Sequence, residues 1–404
     1  MARMAEAPTP ATRQSMMDNQ EYILRHRDAD VRMLALHAAD AGVDMPFCLR
    51  QIEAWQKART KLPRWAATEG ILFPPRLNME QCSSQLTAEY KAGQVQRLLG
   101  GERASMADLT GGFGVDFSFL APLFTRATYV ERSPELCQMA RHNLPLLGAA
   151  HARVECAEAE DFLAGEGQWD LIFLDPARRD DAGRKVVALH DCSPDVEALS
   201  QRLLARSRLV MVKLSPMLDI GQALSALPAV REVHVVSVDG ECRELLLMLS
   251  AVESPLSYHC VNLGRQPHTF VTAVRHAQAH IAPGPGQFLY EPNASILKAG
   301  VQDALCERLG VSKLHPFSHL FTSDVLCADF PGRRFRVEGF STCGKRELKS
   351  FLRDVRQANL AVRNFPSTVA RLRQQWRLAE GGDIYLFATT LADGTHALVR
   401  CSRA

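Results

Sequence analysis

Between residues 104 and 250 the chain repeats one pattern: a short apolar run rich in branched residues, then a longer stretch with apolar positions at helical spacing. The runs are SMADLT, ATYVER, ARVECA, DLIFLD, RLVMVKL, REVHVVSV and ELLLMLS, which predicts seven strands. Strands separated by helix-length segments fold as βαβ units, so the pattern predicts an α/β fold with a mostly parallel, doubly wound, Rossmann-like sheet and its ligand at the carboxyl ends of the strands. Only DGECR separates the last two runs, so they read as an antiparallel hairpin ending the sheet. Upstream, residues 18–102 read as a helical N-terminal domain. Asp44 before Pro46 caps one helix, and Ser84 opens another that Gly100 and Gly101 stop. The sheet occupies 103–252, and Pro255 marks the boundary that follows it.

Composition narrows the class. At 404 residues, with 47% hydrophobic and 23% charged content, the chain is large enough for several domains with real cores. No uninterrupted apolar run reaches membrane-spanning length, and residues 1–17 read as a disordered leader without the apolar core of a secretory signal. The eleven cysteines are scattered, with no C-x-x-C and no Cys/His set at zinc spacing, so neither a disulfide framework nor a metal site is expected and a reducing cytoplasm fits. Net charge is +2, but it is unevenly spread: about −7 over 101–250 and about +8 over 331–404. An acidic middle with a basic end suggests a catalytic module beside one that grips a polyanion.

The candidate chemistry lies at the strand ends. DLTGGFGVDFSFLA, residues 108–121, leaves a strand, turns through Gly111, Gly112 and Gly114 and enters a helix, so the backbone can approach a nucleotide closely. A dinucleotide fingerprint would carry a third glycine where Phe117 stands, which favours a cofactor without a pyrophosphate. S-adenosylmethionine is such a cofactor. Asp108 is then a candidate for its amino-acid end, with Thr110 and Asp116 in the same motif. Glu131, about twenty residues beyond the glycines, suits the ribose hydroxyls, with Arg132 beside it. At the third strand end, Glu158 or a neighbouring backbone amide such as that of Ala159 suits the adenine amino group.

In this order, DLTGGFGVD, VERS, AEAEDF, LDPARRD and VKLSP resemble the class I S-adenosylmethionine-dependent methyltransferases. With EQCSSQLTAEYKA upstream and FLYEPNASILKAG, SHLFTSD, FPGRRF and NFPSTVARLRQQWRLAEGGDIYLFAT downstream, the chain resembles a bacterial family of RNA methyltransferases. The resemblance implies a seven-stranded methyltransferase sheet, a small ferredoxin-like segment over 253–335 and an α+β THUMP-like domain over 336–404. It also implies S-adenosylmethionine as cofactor and structured RNA, tRNA or rRNA, as partner, with no membrane.

In amino-methylating relatives an Asp-Pro-Pro-aromatic loop accepts hydrogen bonds from an exocyclic amine while its ring stacks on the base. Here Asp175 and Pro176 keep the acceptor pair, and Ala177 and Arg178 replace the rest. Arg178 and Arg179 offer guanidinium planes that can stack on a base or clamp a phosphate, unless they pair with nearby aspartates. Lys213 ends the fifth strand, where it can face substrate phosphate or Asp175; Cys192 reads as a small buried residue more than as a nucleophile. Tyr90 and Lys91 lie in a helix that either lids the cofactor or simply packs. In the basic end, Arg371, Arg373 and Arg377 sit on one helix and suit phosphate contacts. Three classes stay open: an RNA methyltransferase, a protein or small-molecule methyltransferase, and a non-catalytic cofactor-binding RNA adaptor.

Overall fold

Capping residues start the two N-terminal helices where the sequence places them. The Asp44 carboxylate accepts the Phe47 N–H at 3.0 Å and opens Met45–Lys61; the Ser84 hydroxyl accepts the Thr87 N–H at 3.3 Å and opens Gln85–Leu99. Gly100, at φ 62°, ends the second. A computed structural model describes residues 10–36, 42–74, 76–101, 103–177 and 189–404. Residues 10–17 of the expected leader form the start of helix Pro10–His26, while residues 1–9 lie outside the described residues. No helix among the described residues is long and apolar enough to cross a membrane.

The chain divides into two units: Met1–Lys213, Gln222–Ala229 and Met248–Val252 in one, and Leu214–Gly221, Val230–Leu247 and Glu253–Ala404 in the other. The first contains strands β1 (Ser105–Asp108), β2 (Arg126–Glu131), β3 (Ala152–Cys156), β4 (Trp169–Leu174) and β5 (Ser207–Leu214), all parallel, in the order β3-β2-β1-β4-β5. Chain direction across the sheet reverses between β1 and β4, the position where α/β sheets open a crevice at their carboxyl ends. The N-terminal helices share a core with this sheet's first turn: fully buried Trp65 lies 4.5 Å, ring to ring, from Phe113 and joins Phe73, Val115 and Phe119 in one apolar cluster. The helical segment is therefore built into the sheet unit.

In the second unit β6 (Val230–Val238) and β7 (Glu241–Leu249) form the expected hairpin through Asp239 and Gly240, both at positive φ (49° and 84°). The hairpin does not end the sheet. Beyond Pro255, β8 (Ser257–Leu263) pairs parallel with β6, and β9 (His268–Thr272) pairs antiparallel with β8, giving the order β7-β6-β8-β9 and nine strands where seven were expected. Pro255 lies two residues before β8 and so takes no donor from the ladder.

The same unit carries a second sheet, made of β10 (Phe288–Pro292), β11 (Ser312–Lys313), β12 (Phe321–Ser323), β13 (Gly332–Thr342), β14 (Gln357–Arg363), β15 (Ala379–Thr390) and β16 (His396–Arg403). Its order is β11-β12-β10-β13-β16-β15-β14, with β14 and β15 parallel and the other pairs antiparallel. Period-two alternation builds two cores. Phe387, Ala397 and Val399 join Leu289 and Phe335 on one face, while Leu386, Ala388 and Leu398 meet Leu348, Leu360 and Leu372 on the other.

One ionic cluster ties three strands of this sheet. Glu291 on β10 is buried, and its two carboxylate oxygens accept from Arg333 on β13 and Arg363 on β14, each at 2.7 Å from the guanidinium Nε. Replacing Glu291 by Gln removes the charge that both arginines share. With the arginines partly solvated, protection of the β10 and β13 amides against hydrogen exchange should fall by about 2 kcal/mol. Unchanged protection would show that solvent already satisfies the arginines.

Candidate active site

The glycine turn is shaped by one ring. Gly111 lies flat on Tyr129 of β2, so a Cβ there would sit 2.2 Å from the ring; the Tyr129 hydroxyl in turn donates to the Gly112 carbonyl. Gly112 and Gly114 hold positive φ of 54° and 86°, which favours glycine. The Gly111 N–H donates to the Val130 carbonyl at 2.8 Å, binding the turn to the β2 backbone. Burial pushes the Tyr129 hydroxyl's pKa up, so it stays protonated and remains a donor. Phe117, where a dinucleotide site would have glycine, is fully buried edge-on to Tyr129, with ring centroids 5.5 Å apart. A large packed ring thus stands where glycine would allow the close helix–strand approach of a dinucleotide fold.

Four strand ends meet beside this turn. Glu131 closes β2, its two oxygens accepting the Gly112 and Ser133 N–H groups, both at 2.9 Å. Asp108 closes β1 and accepts the Thr110 N–H at 3.0 Å. The Thr110 hydroxyl accepts the Asp175 N–H at 2.6 Å and so pins the loop after β4 to the glycine turn. Asp175 is ion-paired with Lys213 of β5, buried Pro176 follows it, and Ala177 bridges to Ser193 through N–H···O bonds of 2.7 and 3.1 Å. Asp108, Thr110, Gly111, Gly112, Gly114, Glu131, Asp175 and Lys213 thus come together.

Charge in this crevice is lopsided. Burial, and then the neighbouring Asp116, Asp175 and Glu131 carboxylates, holds the Asp108 carboxyl well above its usual range, although the Thr110 N–H works against the shift. Among the described residues neither Asp108 nor Glu131 is paired with a cation. S-adenosylmethionine carries a sulfonium and an ammonium and no phosphate, so the glycine cradle and the surplus carboxylates fit it, while a pyrophosphate would be repelled. Asp108 and Glu131 lie at the ends of β1 and β2 beside that turn.

Other predicted residues stand differently. Asp116 is committed to a buried ion pair with Lys91 at 3.1 Å and accepts the Ser83 hydroxyl at 2.7 Å, so Lys91 anchors helix Gln85–Leu99 to the helix that follows the turn. Arg132 is exposed after β2; Glu158 is exposed at the cap position of helix Ala159–Ala164 and makes no capping bond, while Ala159 is buried. Arg178 and Arg179 lie outside the described residues. Cys192 is buried, at 6% exposure. In the second unit Arg371 and Arg377 are exposed, whereas Arg373 donates to the Ala379 carbonyl at 3.0 Å. Sequence reasoning missed Tyr129, since an aromatic inside a strand carries no mark of its contact. It also missed Ser83 and Cys82. Burial raises the Cys82 thiol's pKa, and the thiol lies within the fields of Lys61, Asp116 and Lys213.

Residues 288–331 match a ferredoxin-like domain model, and residues 332–403 match the THUMP domain-like model. A solved structure described as a candidate methyltransferase from Porphyromonas gingivalis W83 is 33% identical, covering 97% of this chain and 98% of its own with a TM-score of 0.85. Two strains of Mycobacterium tuberculosis, CDC 1551 and H37Rv, each have an uncharacterized S-adenosylmethionine-dependent methyltransferase that is 26% identical over 352 residues, 84% of this chain and 94% of theirs.

The Asp108 geometry sets a pH test. The native state holds this proton more tightly than the unfolded chain does, so the contribution of Asp108 to stability falls as pH rises from the ordinary carboxylate range to its raised native value. Asp108→Asn removes that penalty. Without cofactor the variant should gain on the wild type in thermal stability as pH rises through that window, and the two should converge in acid; a gap that does not change with pH would contradict the assignment.

Proposed function

The chain belongs to the class I S-adenosylmethionine-dependent methyltransferases that carry a C-terminal THUMP-like domain, and we propose that its substrate is a base in structured RNA, tRNA or rRNA. The carrying observation is the pairing of a strand-end Asp-Pro acceptor loop with a THUMP-like domain whose helix Val369–Trp376 and its C-terminal cap expose Arg371 and Arg377. In an in-line methyl transfer the protein's tasks are to position the nucleophile and to receive or steer its proton. S-adenosylmethionine supplies the electrophilic methyl group.

This chain's residues divide the remaining work. Glu131 and Asp108 orient the cofactor's two ends, and the glycine turn lets the backbone approach it. The Asp175 carboxylate accepts a hydrogen bond from the exocyclic amine of the target base, and the Pro176 carbonyl accepts a second. Lys213 holds Asp175 through Oδ2 and fixes its orientation, leaving Oδ1 for the substrate. Arg178 and Arg179 take the place of the missing aromatic plate by stacking on the base or clamping its phosphate. Arg371 and Arg377 contact phosphates without reading sequence, whereas Arg373 serves the fold. Eleven free cysteines suit a reducing cytoplasm. The Lys213 pair also favours a second reading, an RNA adaptor that binds the cofactor without turnover, because it occupies part of the acceptor.

Tritiated methyl transfer to total RNA from cells lacking the protein, followed by nucleoside mass spectrometry, tests the reading. A labelled RNA nucleoside is expected; label confined to protein or a small molecule would overturn it. Asp175→Asn should slow turnover by about two orders of magnitude with cofactor affinity nearly unchanged. Wild-type turnover in that variant would remove Asp175 from the chemistry. Arg371→Glu with Arg377→Glu should flatten the salt dependence of RNA binding by about one to two units of slope, and an unchanged slope would place the phosphate contacts elsewhere.

A further inference from the structure

Away from the glycine turn, the second unit has an open cleft of about 520 Å³ lined by Val362, Asn364, Phe365, Pro366, Thr390 and His396. It lies where β14 and β15 end and β16 begins, since Arg363 registers with Thr389 and Thr390 with His396. Rings lie in it and beside it. Phe365 stands 5.1 Å from the His396 ring, and His315, which touches Asn364, stands 5.6 Å from Phe317. Phe317 is 78% exposed, an unusual state for a large apolar side chain.

The hydrogen-bond pattern fixes which polar atoms the cleft presents. The Nδ1 of His315 accepts the Phe317 backbone N–H at 3.0 Å, so it is an unprotonated acceptor, and the Asn364 amide facing it at 3.0 Å must present its nitrogen. Asn364 Oδ1 then remains an acceptor on an exposed residue. Likewise the Thr390 hydroxyl donates to the Asn364 carbonyl, so its 3.2 Å contact with His396 Nδ1 must be donated by the histidine. In the neutral ring that leaves His396 Nε2 as a second acceptor. Asn364 itself holds φ 51°, a left-handed conformation that asparagine tolerates better than most residues.

A cleft with a ring in its wall and two acceptors on exposed residues matches the two hydrogens of a base's exocyclic amine. Uracil has no exocyclic amine and a single N–H, so it satisfies only one of the two. Phosphate contacts are close in sequence: helix Val369–Trp376, with exposed Arg371, starts three residues after Pro366. We infer that this cleft is a subsite for an unpaired amine-bearing base, adenine, cytosine or guanine, of the bound RNA. The inference rests on the RNA reading above and adds a recognition element in the THUMP-like domain to it.

Fluorescence anisotropy of the full chain with labelled twelve-nucleotide adenine, cytosine and uracil oligoribonucleotides tests it. The wild type should bind the adenine and cytosine oligomers about tenfold more tightly than the uracil oligomer, and Asn364→Ala should bring the three within about threefold. Phe365→Leu keeps the apolar filling but loses the stacking face, and should weaken all three about tenfold with the salt slope unchanged. Equal S-adenosylmethionine affinity in all proteins reports an intact fold. RNA binding that ignores base identity and both substitutions would overturn the subsite while leaving the RNA reading standing. No binding of any oligomer or of structured RNA by the wild type at low salt would overturn both.

Discussion

The face of Tyr129 against Gly111 is the contact on which the catalytic unit depends. Because the ring fills the space above the turn, the chain can leave β1 only with a residue lacking Cβ, and the tyrosine hydroxyl then holds the Gly112 carbonyl. That orientation delivers the Gly112 N–H to Glu131, fixing the β2 carboxylate at the rim of the crevice. Thr110, in the same turn, reaches the backbone of Asp175 and sets the loop after β4. One aromatic packing contact thereby positions groups from three strands.

The second governing feature is electrostatic. Asp108, Asp116, Glu131 and Asp175 crowd one region, and the protein supplies Lys91 for Asp116 and Lys213 for Asp175. A buried ion pair such as Lys91 with Asp116 is poor evidence of net stability, but it specifies one docking of helix Gln85–Leu99, because breaking it would strand a charge. Asp108 and Glu131 have no cationic partner among the described residues. The crevice is thus costly to the empty protein and complementary to a cationic cofactor, the usual arrangement where function sets the local chemistry.

Much of this was legible in the sequence because local rules governed it. Asp44 and Ser84 announced their helices, alternating apolar runs announced β1 to β7, and the glycines with Asp108, Glu131 and Asp175 announced a cluster at strand ends that the fold brings together. What escaped depended on contacts between distant residues. Nothing in TYVER marks Tyr129 as the ceiling of a turn eighteen positions earlier in the chain. β8 and β9 escaped because Pro255 looks like a boundary, although it precedes the ladder and interrupts no bond. Glu291 gathers arginines 42 and 72 residues away, a pairing that no local stretch of the sequence announces. In NFPST the helix cap at Thr368 is readable, but the donor and acceptor roles of Asn364 and His396 follow from which neighbour donates to which.

We propose that carboxylates at the ends of β1 and β2 hold S-adenosylmethionine at the glycine turn. Calorimetric titration of the cofactor into the wild type and Glu131→Ala tests this. The variant should stay folded and bind about 10- to 100-fold more weakly, as loss of charge-assisted bonds to the ribose requires. Equal affinity in a folded variant would contradict it and remove Glu131 from the cofactor site.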